Sequence, residues 1–533
     1  MTAPDETTAD ETTAEHWWVD VRRLRIDLCA ADVHAALYAD DAHSFWLDSN
    51  SDDERSKISV LGTVDGVHAH VLSYRAGEPD TSRIAADGSR ERVNGDLLHV
   101  AQTQLTRFAV RAPQPAAGGF CLGYVGYLGY GLKANTCGVA DLTPSDVPDG
   151  RLTFVERAIV FDHVTGDVQL LALRSNGGDT RLDAASRLWI RRTARTLMEL
   201  AASPHASSGS HSQTHQKPGL SSARSRQAVL AQPQTLPDDA TLRATFAFRH
   251  DEAGYIERVQ ASQRHIAAGD SYEVCLTNMG EYAASVDPVS TYRRLRELSR
   301  VPYGALLRCG DFSVLSASPE CFLTVDENRT VETRPIKGTS PRGATPRQDA
   351  QRRDELWRSE KERAENLMIV DLMRNDLSRV CRPETVRVPR LFTVESFPGA
   401  HQLISTVRAE LRDDCTAIDC IRATFPAGSM TGAPKRRTMQ IIDELEGGPR
   451  GVYAGALGWL SLNGTLSLSV VIRTIIVEPH RATFGVGGAI TQLSQPEAEY
   501  AETLVKARVV GAALLHPVLS DPAESPRPRR RSS

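Results

Sequence analysis

The chain has 533 residues, of which 41% are hydrophobic and 24% charged, and its formal net charge is −5. This composition is typical of a globular protein of two or three domains, and the lack of a basic excess argues against a general nucleic-acid binder. The nine cysteines are scattered without a CxxC pair, which indicates neither a zinc ribbon nor a disulfide framework and favours a cytoplasmic location.

Both ends of the chain are polar. Residues 1–16 are acidic and residues 516–533 form a basic tail rich in Pro and Ser. We expect disorder in both segments and no secretory signal at the start. No apolar run approaches the roughly 18 residues that cross a bilayer, so we expect no membrane association.

Residues 17–202 are predicted to form an N-terminal domain. "WWVDVRRLRIDL" alternates as a half-buried strand does, "DVHAALYAD" is typical of a short helix, and "AHSFWLDSN" and "KISVLGTVDG" are typical of strands. "GGFCLGYVGYLGYGLK" repeats Gly-Tyr every third residue, which suits neither a pure strand nor a helix; we expect close backbone approach there, with Tyr124, Tyr127 and Tyr130 packed around it. A hairpin around Thr165–Asp167 and a helix over 184–202 follow.

Residues 203–238 are rich in Ser, His, Gly and Pro and are predicted to be a flexible linker. A second domain is predicted over 239–515. It begins with a helix that has Asp251 near its N-cap and ends at Gly269, and it continues through strand series, a long helix or helix pair over 350–381 and a closing helix near residue 500. Strand runs without regular βαβ alternation predict an α+β fold with antiparallel sheets.

One lysine lies in a stretch with a restricted backbone. In "ETRPIKGTSPRG", Lys337 lies between Pro335, which fixes its own φ, and Gly338, which allows unusual backbone angles. A lysine held in this way either anchors an anion or acts as a nucleophile, although a surface-loop lysine has the same local sequence.

Two helical segments each carry a pair of glutamates three residues apart. Glu362 and Glu365 share one helix face, and Glu499 and Glu502 repeat the spacing. Together the pairs suit a hard cation such as Mg²⁺. The alternative is a solvated acidic face with salt bridges to residues such as Lys506.

Three further features point to an anionic ligand. Glu320, after "SASP", is a candidate general acid, and Arg473 lies among aliphatic residues, where it needs an anionic partner from the protein or from a ligand. The turn "FPAGSMTGAPK" leads into a helix whose N-terminus suits an anion. The combined pattern predicts a small polyanion, such as a dicarboxylate, held by Mg²⁺, an arginine and backbone amides.

From Tyr255 to Leu515 the chain resembles the chorismate-utilising enzymes. The resemblance is carried by "GDSYEVCLTN", "SASPECF", "TRPIKGTSPRG", "ERAENLMIVDLMRNDLSRVC", "FPAGSMTGAPK", "VIRT" and "PEAEYAET", and more loosely by "SFWLDS" and the glycines of "GGF…GYVGY". It implies an antiparallel two-sheet core with helices packed outside, and a chorismate-binding catalytic domain.

Within this family, anthranilate synthases typically carry Ala where this chain has Lys337, whereas aminodeoxychorismate synthases carry the lysine. The resemblance therefore implies amination of chorismate on the route to 4-aminobenzoate and folate, with Lys337 as a covalent nucleophile. An ordinary lysine is protonated at neutral pH, so we expect the site to lower the pKa of Lys337.

Other roles are implied by position. Glu320 matches the general acid, and Glu365 and Glu502 match the principal Mg²⁺ ligands, with Glu362 and Glu499 as second-shell or water-mediated partners. Substrate contacts are implied for Gly338, Thr339, Tyr453, Arg473, Ala489 and His401.

Some positions depart from the family pattern. Isochorismate synthases have a lysine base where this chain has Glu273, which argues against water as the nucleophile. Relatives have His directly before Leu403, where this chain has Gln402, with His401 one residue earlier. "SFWLDS" matches a tryptophan site of relatives, and a structural pocket or a filled core fits it equally well.

The chain shows no glutaminase signature outside the Gly-Tyr stretch, where "GFCLG" at residues 119–123 matches the spacing Gly-x-Cys-x-Gly. The resemblance therefore implies that ammonia comes from a separate glutamine amidotransferase subunit or from free ammonium. Two alternatives stay open: an anthranilate synthase component I, and a catalytically silent regulatory paralogue that binds tryptophan or the glutaminase.

Overall fold

The computed structural model describes residues 16–51, 57–110, 117–176, 178–203, 236–397 and 399–515. The disorder predicted for the two ends and almost all of the predicted linker therefore lie outside the described residues.

The described residues of the N-terminal region form short strands and four α-helices. The elements are β1 Trp17–Leu24, α1 Ala30–Leu37, β2 Ser44–Asp48, β3 Ile58–Thr63, β4 His70–Tyr74, β5 Asp80–Ala85, β6 Arg90–Asn94, α2 Leu97–Arg107, β7 Gly123–Leu128, α3 Lys133–Cys137, β8 Gly150–Val155, β9 Arg157–Asp162, β10 Val168–Ser175 and α4 Thr180–Ala202. The predicted strands, the β9–β10 hairpin and the helix that ends at Ala202 are confirmed.

The C-terminal region contains the longer strands and helices. The elements are α5 Asp239–Thr245, β11 Ala247–Phe248, α6 Glu252–Ala267, β12 Glu273–Tyr282, α7 Pro288–Leu298, β13 Tyr303–Arg308, β14 Ser313–Ser318, β15 Cys321–Val325, β16 Thr330–Arg334, β17 Ile336–Pro341, α8 Pro346–Arg358, α9 Glu360–Ser378, β18 Arg387–Ser396, β19 Ala400–Glu410, α10 Ala417–Thr424, β20 Gly432–Ala433, α11 Lys435–Glu446, β21 Ala456–Ser461, β22 Leu466–Val470, β23 Thr474–Glu478, β24 Arg481–Ile490 and α12 Pro496–Leu514. Asp251 caps α6 as predicted, because its Oδ1 accepts a hydrogen bond from the Gly254 amide at 2.8 Å.

In the described part of the chain, two antiparallel sheets of 12 strands each form the core. The first sheet runs β1-β10-β9-β3-β2-β13-β14-β23-β24-β12-β11, with β20 paired to β12. The second runs β17-β19-β16-β15-β22-β21-β7-β8-β4-β5-β6, with β18 paired to β19. The predicted α+β class with an antiparallel two-sheet core is confirmed.

Strands of the first sheet are buried on both faces. In β10, Leu171 and Leu173 belong to one hydrophobic cluster with residues of the second sheet, whereas Leu170 and Ala172 belong to another cluster with helices α4, α6 and α12. Successive strand residues point to opposite faces. One face of this sheet therefore packs on the second sheet, and the other is covered by helices.

The Gly-Tyr repeat corrects one expectation. Gly123–Leu128 is a regular strand, β7, although its spacing of three suggested an irregular segment. The close approach is confirmed, because an added Cβ on Gly126 would lie 2.0 Å from the carbonyl oxygen of Arg151 on the neighbouring strand. The three tyrosines are buried as predicted.

Both sheets cross the boundary between the two predicted domains. β2 pairs with β13 in the first sheet, and β7 pairs with β21 in the second. No helix of the described residues is long and apolar enough to cross a membrane.

The "SFWLDS" stretch contributes to both a core and a cavity. Trp46 is fully buried and lies against His34 and Tyr292 on the helical side of the sheet. Leu47 and Ser49 line a cavity of about 740 Å³ between the two sheets.

Candidate active site

Lys337 lies in an irregular part of strand β17. The register with β19 shifts between Ile336 and Thr339, which places Lys337 and Gly338 in a bulge-like stretch. Lys337 is buried, with 9% of its surface exposed, which excludes a surface-loop lysine. Gly338 has a φ of 83°, and an added Cβ would lie 2.8 Å from Glu362 Oε2. Glycine is needed here for both backbone conformation and space.

The Lys337 ammonium is paired with a carboxylate from the other sheet. Its Nζ donates a hydrogen bond to Glu273 Oε1 at 2.7 Å, and Glu273, the first residue of β12, is 1% exposed. Among the described residues, Glu273 supplies the ion pair of this nitrogen within 4.0 Å.

This pairing overturns the expectation that the site lowers the pKa of Lys337. Burial by itself lowers the pKa of this lysine, but the nearby Glu273 carboxylate, with a contribution from Glu365, raises it above the ordinary value. Lys337 is therefore a charged, hydrogen-bonded ammonium in the site as it stands.

Glu320 has the properties of a proton donor. It lies between β14 and β15, where its amide donates to Ser318 Oγ at 3.3 Å and its carbonyl accepts from the Val470 amide at 3.0 Å. Burial raises the pKa of Glu320 to about 7, against the opposing effect of the Lys337 ammonium. Such a carboxyl is partly protonated at neutral pH, as general acid catalysis requires.

Helices α9 and α12 bring the four predicted metal carboxylates to one region. Lys361 of α9 reaches Glu499 Oε1 of α12 at 3.0 Å and lies 3.7 Å from Glu365 Oε1. An added Cβ on Gly488 of β24 would lie 3.2 Å from Glu499 Oε2 and 3.8 Å from Glu502 Oε1. The structure thus joins the two glutamate pairs that the sequence predicted to act together.

The electrostatics of these carboxylates differ. Burial raises the pKa of Glu365 to about 7, and like charges such as Glu362 add to the effect. Burial also raises the pKa of Glu362. Although burial opposes it, the adjacent Lys506, at 2.6 Å, lowers the pKa of Glu502.

The carboxylates fit a hard cation by their chemistry. Within the described part of the chain, no three His, Cys, Asp or Glu side chains converge closely enough to coordinate one ion in this arrangement. Even so, Glu365 Oε1 is buried without a hydrogen-bond partner, and the crowded carboxylates disfavour one another's charge. A bound hard cation would take Glu365 Oε1 as a ligand and would reduce the repulsion between the carboxylates.

Arg473 is oriented by a strained connection. It precedes β23 with a φ of 50°, a conformation that residues other than glycine rarely adopt. Burial lowers its pKa, and no carboxylate of the described residues pairs with its guanidinium. Of the two partners expected from the sequence, a protein carboxylate or a ligand anion, the described structure supplies no protein carboxylate.

Of the remaining predicted contacts, Thr339 and Ala489 lie on strands β17 and β24, and Tyr453 lies in the turn before β21. Thr339 is directly opposite Gln402, and Ala489 of β24 is directly opposite Cys275, two residues from Glu273. The Tyr453 ring packs against β24, because an added Cβ on Gly485 would lie 2.2 Å from its Cδ1.

The structure directs His401 away from Thr339. In the antiparallel pair, His401 is opposite Ser340, so it shares the face of Ser340 and not that of Thr339. Its Nδ1 lies 2.8 Å from Ser396 Oγ and its Nε2 lies 3.0 Å from Asp349 Oδ1. Both ring nitrogens are thus engaged by protein groups, and the substrate contact of His401 stays a prediction.

From the sequence, Glu273 is noted only as the position where isochorismate synthases have a lysine base, and its pairing with Lys337 is not predicted. Its second oxygen, Oε2, is buried without a hydrogen-bond partner, as is Oε1 of Gln402. A carboxylate inside the apolar stretch "SYEVCL" was the available signal, because a buried charge needs a partner. The identity of that partner depended on the packing of the two sheets.

The chain is similar in sequence to proteins that are already known. The family model described as chorismate binding enzyme matches residues 44–511. Aminodeoxychorismate synthase of Streptomyces pristinaespiralis is 42% identical over 91% of this chain, which spans 64% of that relative. Anthranilate synthase component 1 of Streptomyces coelicolor is 38% identical over 80% of this chain and 78% of its own length.

A solved structure shares the fold. The crystal structure of anthranilate synthase component I from Streptococcus pneumoniae TIGR4 superposes with a TM-score of 0.66 at 25% identity, covering 86% of this chain and 92% of that one. The family model covers strands of both sheets and the segments that carry Lys337, Glu320 and the four helical glutamates. The chain therefore belongs to the chorismate binding enzyme family.

Proposed function

We propose that this protein converts chorismate and ammonia into 4-amino-4-deoxychorismate, for 4-aminobenzoate and folate synthesis. The observation that carries the proposal is the buried Lys337 amine, positioned by Gly338 in the same region as Glu320. The Streptomyces relative that bears the name aminodeoxychorismate synthase is 42% identical, which supports the same reaction.

The substrate would be held by its two carboxylates. Arg473 is the candidate for one of them, since its guanidinium has no carboxylate partner among the described residues. Gly338 and Thr339 of β17, Ala489 of β24 and Tyr453 in the turn before β21 would complete the contacts.

Magnesium fits the carboxylate region. Glu365 and Glu502 would hold the ion, with Glu362 and Glu499 as outer partners. When bound, Mg²⁺ supplies positive charge that offsets both these carboxylates and a substrate carboxylate.

The chemistry splits one substitution into two. The neutral Lys337 amine forms a bond to ring carbon C2, both ring double bonds shift (C1=C2 to C1=C6 and C5=C6 to C4=C5), and the C4 hydroxyl leaves as water with the proton of Glu320. Ammonia then bonds to C4, both double bonds shift back, and the C2–N bond breaks with its electron pair returning to Lys337. The new C4 ammonium returns a proton to Glu320, so that chorismate and ammonia give the product and water.

Ammonia would come from a glutamine amidotransferase partner. The Streptomyces anthranilate synthase relative is named component 1, and this chain covers 78% of it, whereas it covers 64% of the relative whose name carries no component number. This difference fits a longer relative that carries in one chain what a component 1 protein obtains from a second chain.

The test is product identification from purified protein with chorismate, Mg²⁺ and ammonium, alongside Lys337→Ala. We expect 4-amino-4-deoxychorismate that retains the pyruvyl group, and a loss of at least about 100-fold in kcat for the variant. Arg243→Ala is the control, because it removes an exposed positive charge on helix α5, outside the candidate site.

Two results contradict the proposal. Anthranilate and pyruvate as products assign the chain to the anthranilate synthase reaction. Absence of turnover from folded protein, with ammonium and Mg²⁺ in excess, favours the silent paralogue.

A further inference from the structure

The Lys337–Glu273 pair joins the two sheets at the candidate site. Lys337 belongs to β17 at the end of the second sheet, and Glu273 belongs to β12 in the first. The contact of 2.7 Å between Nζ and Oε1 therefore depends on the packing of the whole core and not on a local turn. Both side chains are at least nine-tenths buried, with 10% and 1% exposed.

Glu273 has hydrogen-bonding capacity that the described structure does not use. Its Oε1 accepts from Lys337, whereas its Oε2 is buried without a partner. A buried carboxylate oxygen without a hydrogen-bond partner is unusual. Glu273 therefore lies against the Lys337 ammonium with one acceptor oxygen still unused.

Several charged or titratable groups face the Lys337 ammonium from the elements around it. They are Glu273 and Cys275 of β12, Glu320 before β15, Glu362 and Glu365 of α9, and Glu502 of α12. Among the carboxylates, Glu273 alone forms an ion pair with Nζ within 4.0 Å in the described structure. It is the base already in hydrogen-bond contact with the atom that must lose a proton.

We propose that Glu273 is a catalytic base that accepts the proton of Lys337 at the start of each turnover. This inference rests on the proposed function, in which the Lys337 amine attacks the ring. One proton moves from the ammonium to Glu273, which leaves a neutral amine and a neutral carboxylic acid. After ammonia has displaced the lysine from C2, Glu273 returns the proton to the amine.

A base and a simple positioning residue predict different behaviour. If Glu273 only orients the lysine, any group of similar shape and hydrogen-bonding capacity suffices. If it accepts a proton, its basicity matters, and a small carboxylate from solution can replace it in proportion to its own basicity.

The experiment uses the full chain with chorismate, Mg²⁺ and excess ammonium. Glu273→Gln keeps an oxygen acceptor for Lys337 but cannot take its proton. We expect kcat to fall by at least 100-fold, with KM for chorismate within threefold of wild type. For Glu273→Ala we expect chloroacetate, formate and acetate to restore turnover, with the restored rate rising in the order of their basicity.

Asp443→Asn is the matched control. It removes a carboxylate from another buried lysine, Lys133, which keeps its second partner Asp141. We expect its kcat within threefold of wild type and no effect of added carboxylates. Thermal melting establishes that each variant is folded, and Glu273→Gln decides the question if Glu273→Ala does not fold.

The outcomes separate the two proposals. A wild-type product other than 4-amino-4-deoxychorismate overturns the proposed function, whatever the variants do. The expected wild-type product together with an active Glu273→Gln, or with rescue that is independent of carboxylate basicity, overturns only the role of Glu273.

Discussion

At the scale of single residues, the site is defined by Lys337, Gly338, Glu273 and Glu320. Lys337 is buried but charged, because the Glu273 carboxylate outweighs the effect of burial on its pKa. Gly338 allows the chain to turn beside Glu362, and Glu320 has a raised pKa in the same region. A buried cation and a protonatable acid side by side suit a substitution that needs a nucleophile and a proton donor.

The glycine after Lys337 provides one prediction. Gly338→Ala introduces a Cβ 2.8 Å from Glu362 Oε2, whereas Gly88→Ala, at the same φ of 83°, has no atom within 4 Å. Both variants incur backbone strain of about 1 kcal/mol in unfolding free energy, as measured by denaturant melts. We expect only Gly338→Ala to lose turnover, by at least about tenfold. Equal turnover in both variants would show that the close approach is unimportant.

Glu320 provides the pH dependence. Its pKa is raised to about 7, so the proton-donating form is present below that pH and lost above it. At constant free ammonia and saturating chorismate, we expect kcat to fall as pH rises through about 7. In Glu320→Gln the fall should disappear and kcat should be lower by about 100-fold at pH 6. A wild-type rate that rises through this range contradicts the role of Glu320 as an acid.

At the scale of elements, the facing helices α9 and α12 form the acidic side of the site. Each presents two glutamates, and Lys361 spans the gap between Glu365 and Glu499. Helix α9 also packs through buried Ile369, Val370 and Met373, so its acidic face is held at a fixed position. The Lys361 ammonium and a bound divalent cation can each neutralise the negative charge of these carboxylates.

This competition is testable by thermal melting. Lys361→Met removes the bridge, and we expect a loss of about 1 kcal/mol in metal-free buffer, because the lysine is partly exposed. Added Mg²⁺ should raise Tm more in the variant than in wild type. Arg374→Met of the same helix, whose partner Asp371 is exposed, is the control and should not change the Mg²⁺ response. A lack of any Mg²⁺ effect on either protein argues against a metal at these carboxylates.

At the scale of the whole molecule, both sheets run through the N-terminal and C-terminal regions. β7 lies between β21 and β8, and β13 lies between β2 and β14. Residues from both regions also share the hydrophobic cluster between the sheets, for example Leu72 and Leu457. Strands of the two regions are thus hydrogen-bonded to each other, β7 to β21 in one sheet and β2 to β13 in the other.

Hydrogen exchange can test this continuity. We expect the central amides of Gly123–Leu128 and Ala456–Ser461 to exchange through the same opening reaction, with equal sensitivity to denaturant. Exchange of the first segment at much lower denaturant than the second would mean that the two regions unfold separately.

Much of the local structure follows from sequence pattern. The alternation from Trp17 predicts β1, and Asp251 predicts the start of α6, because strand period and N-capping act between near neighbours. The spacing of Glu362 with Glu365 and of Glu499 with Glu502 likewise places each pair on one helix face. The Gly-Tyr repeat did not predict strand β7. Its glycines allow close backbone contacts with β8 and β21, and the local pattern contains no information about those strands.

The sequence by itself therefore determined the family, the α+β class and the residues with chemical capacity, since these depend on residue type and short-range order. Tertiary structure decided which of those residues meet. Glu273 and Lys337 are 64 positions apart and in different sheets, and only the packing of the sheets sets their contact. His401 and Thr339 lie on adjacent strands, but the register turns the histidine toward Asp349. The charge state of Lys337 follows from such long-range contacts, because electrostatic energy depends on distance and burial and not on chain order.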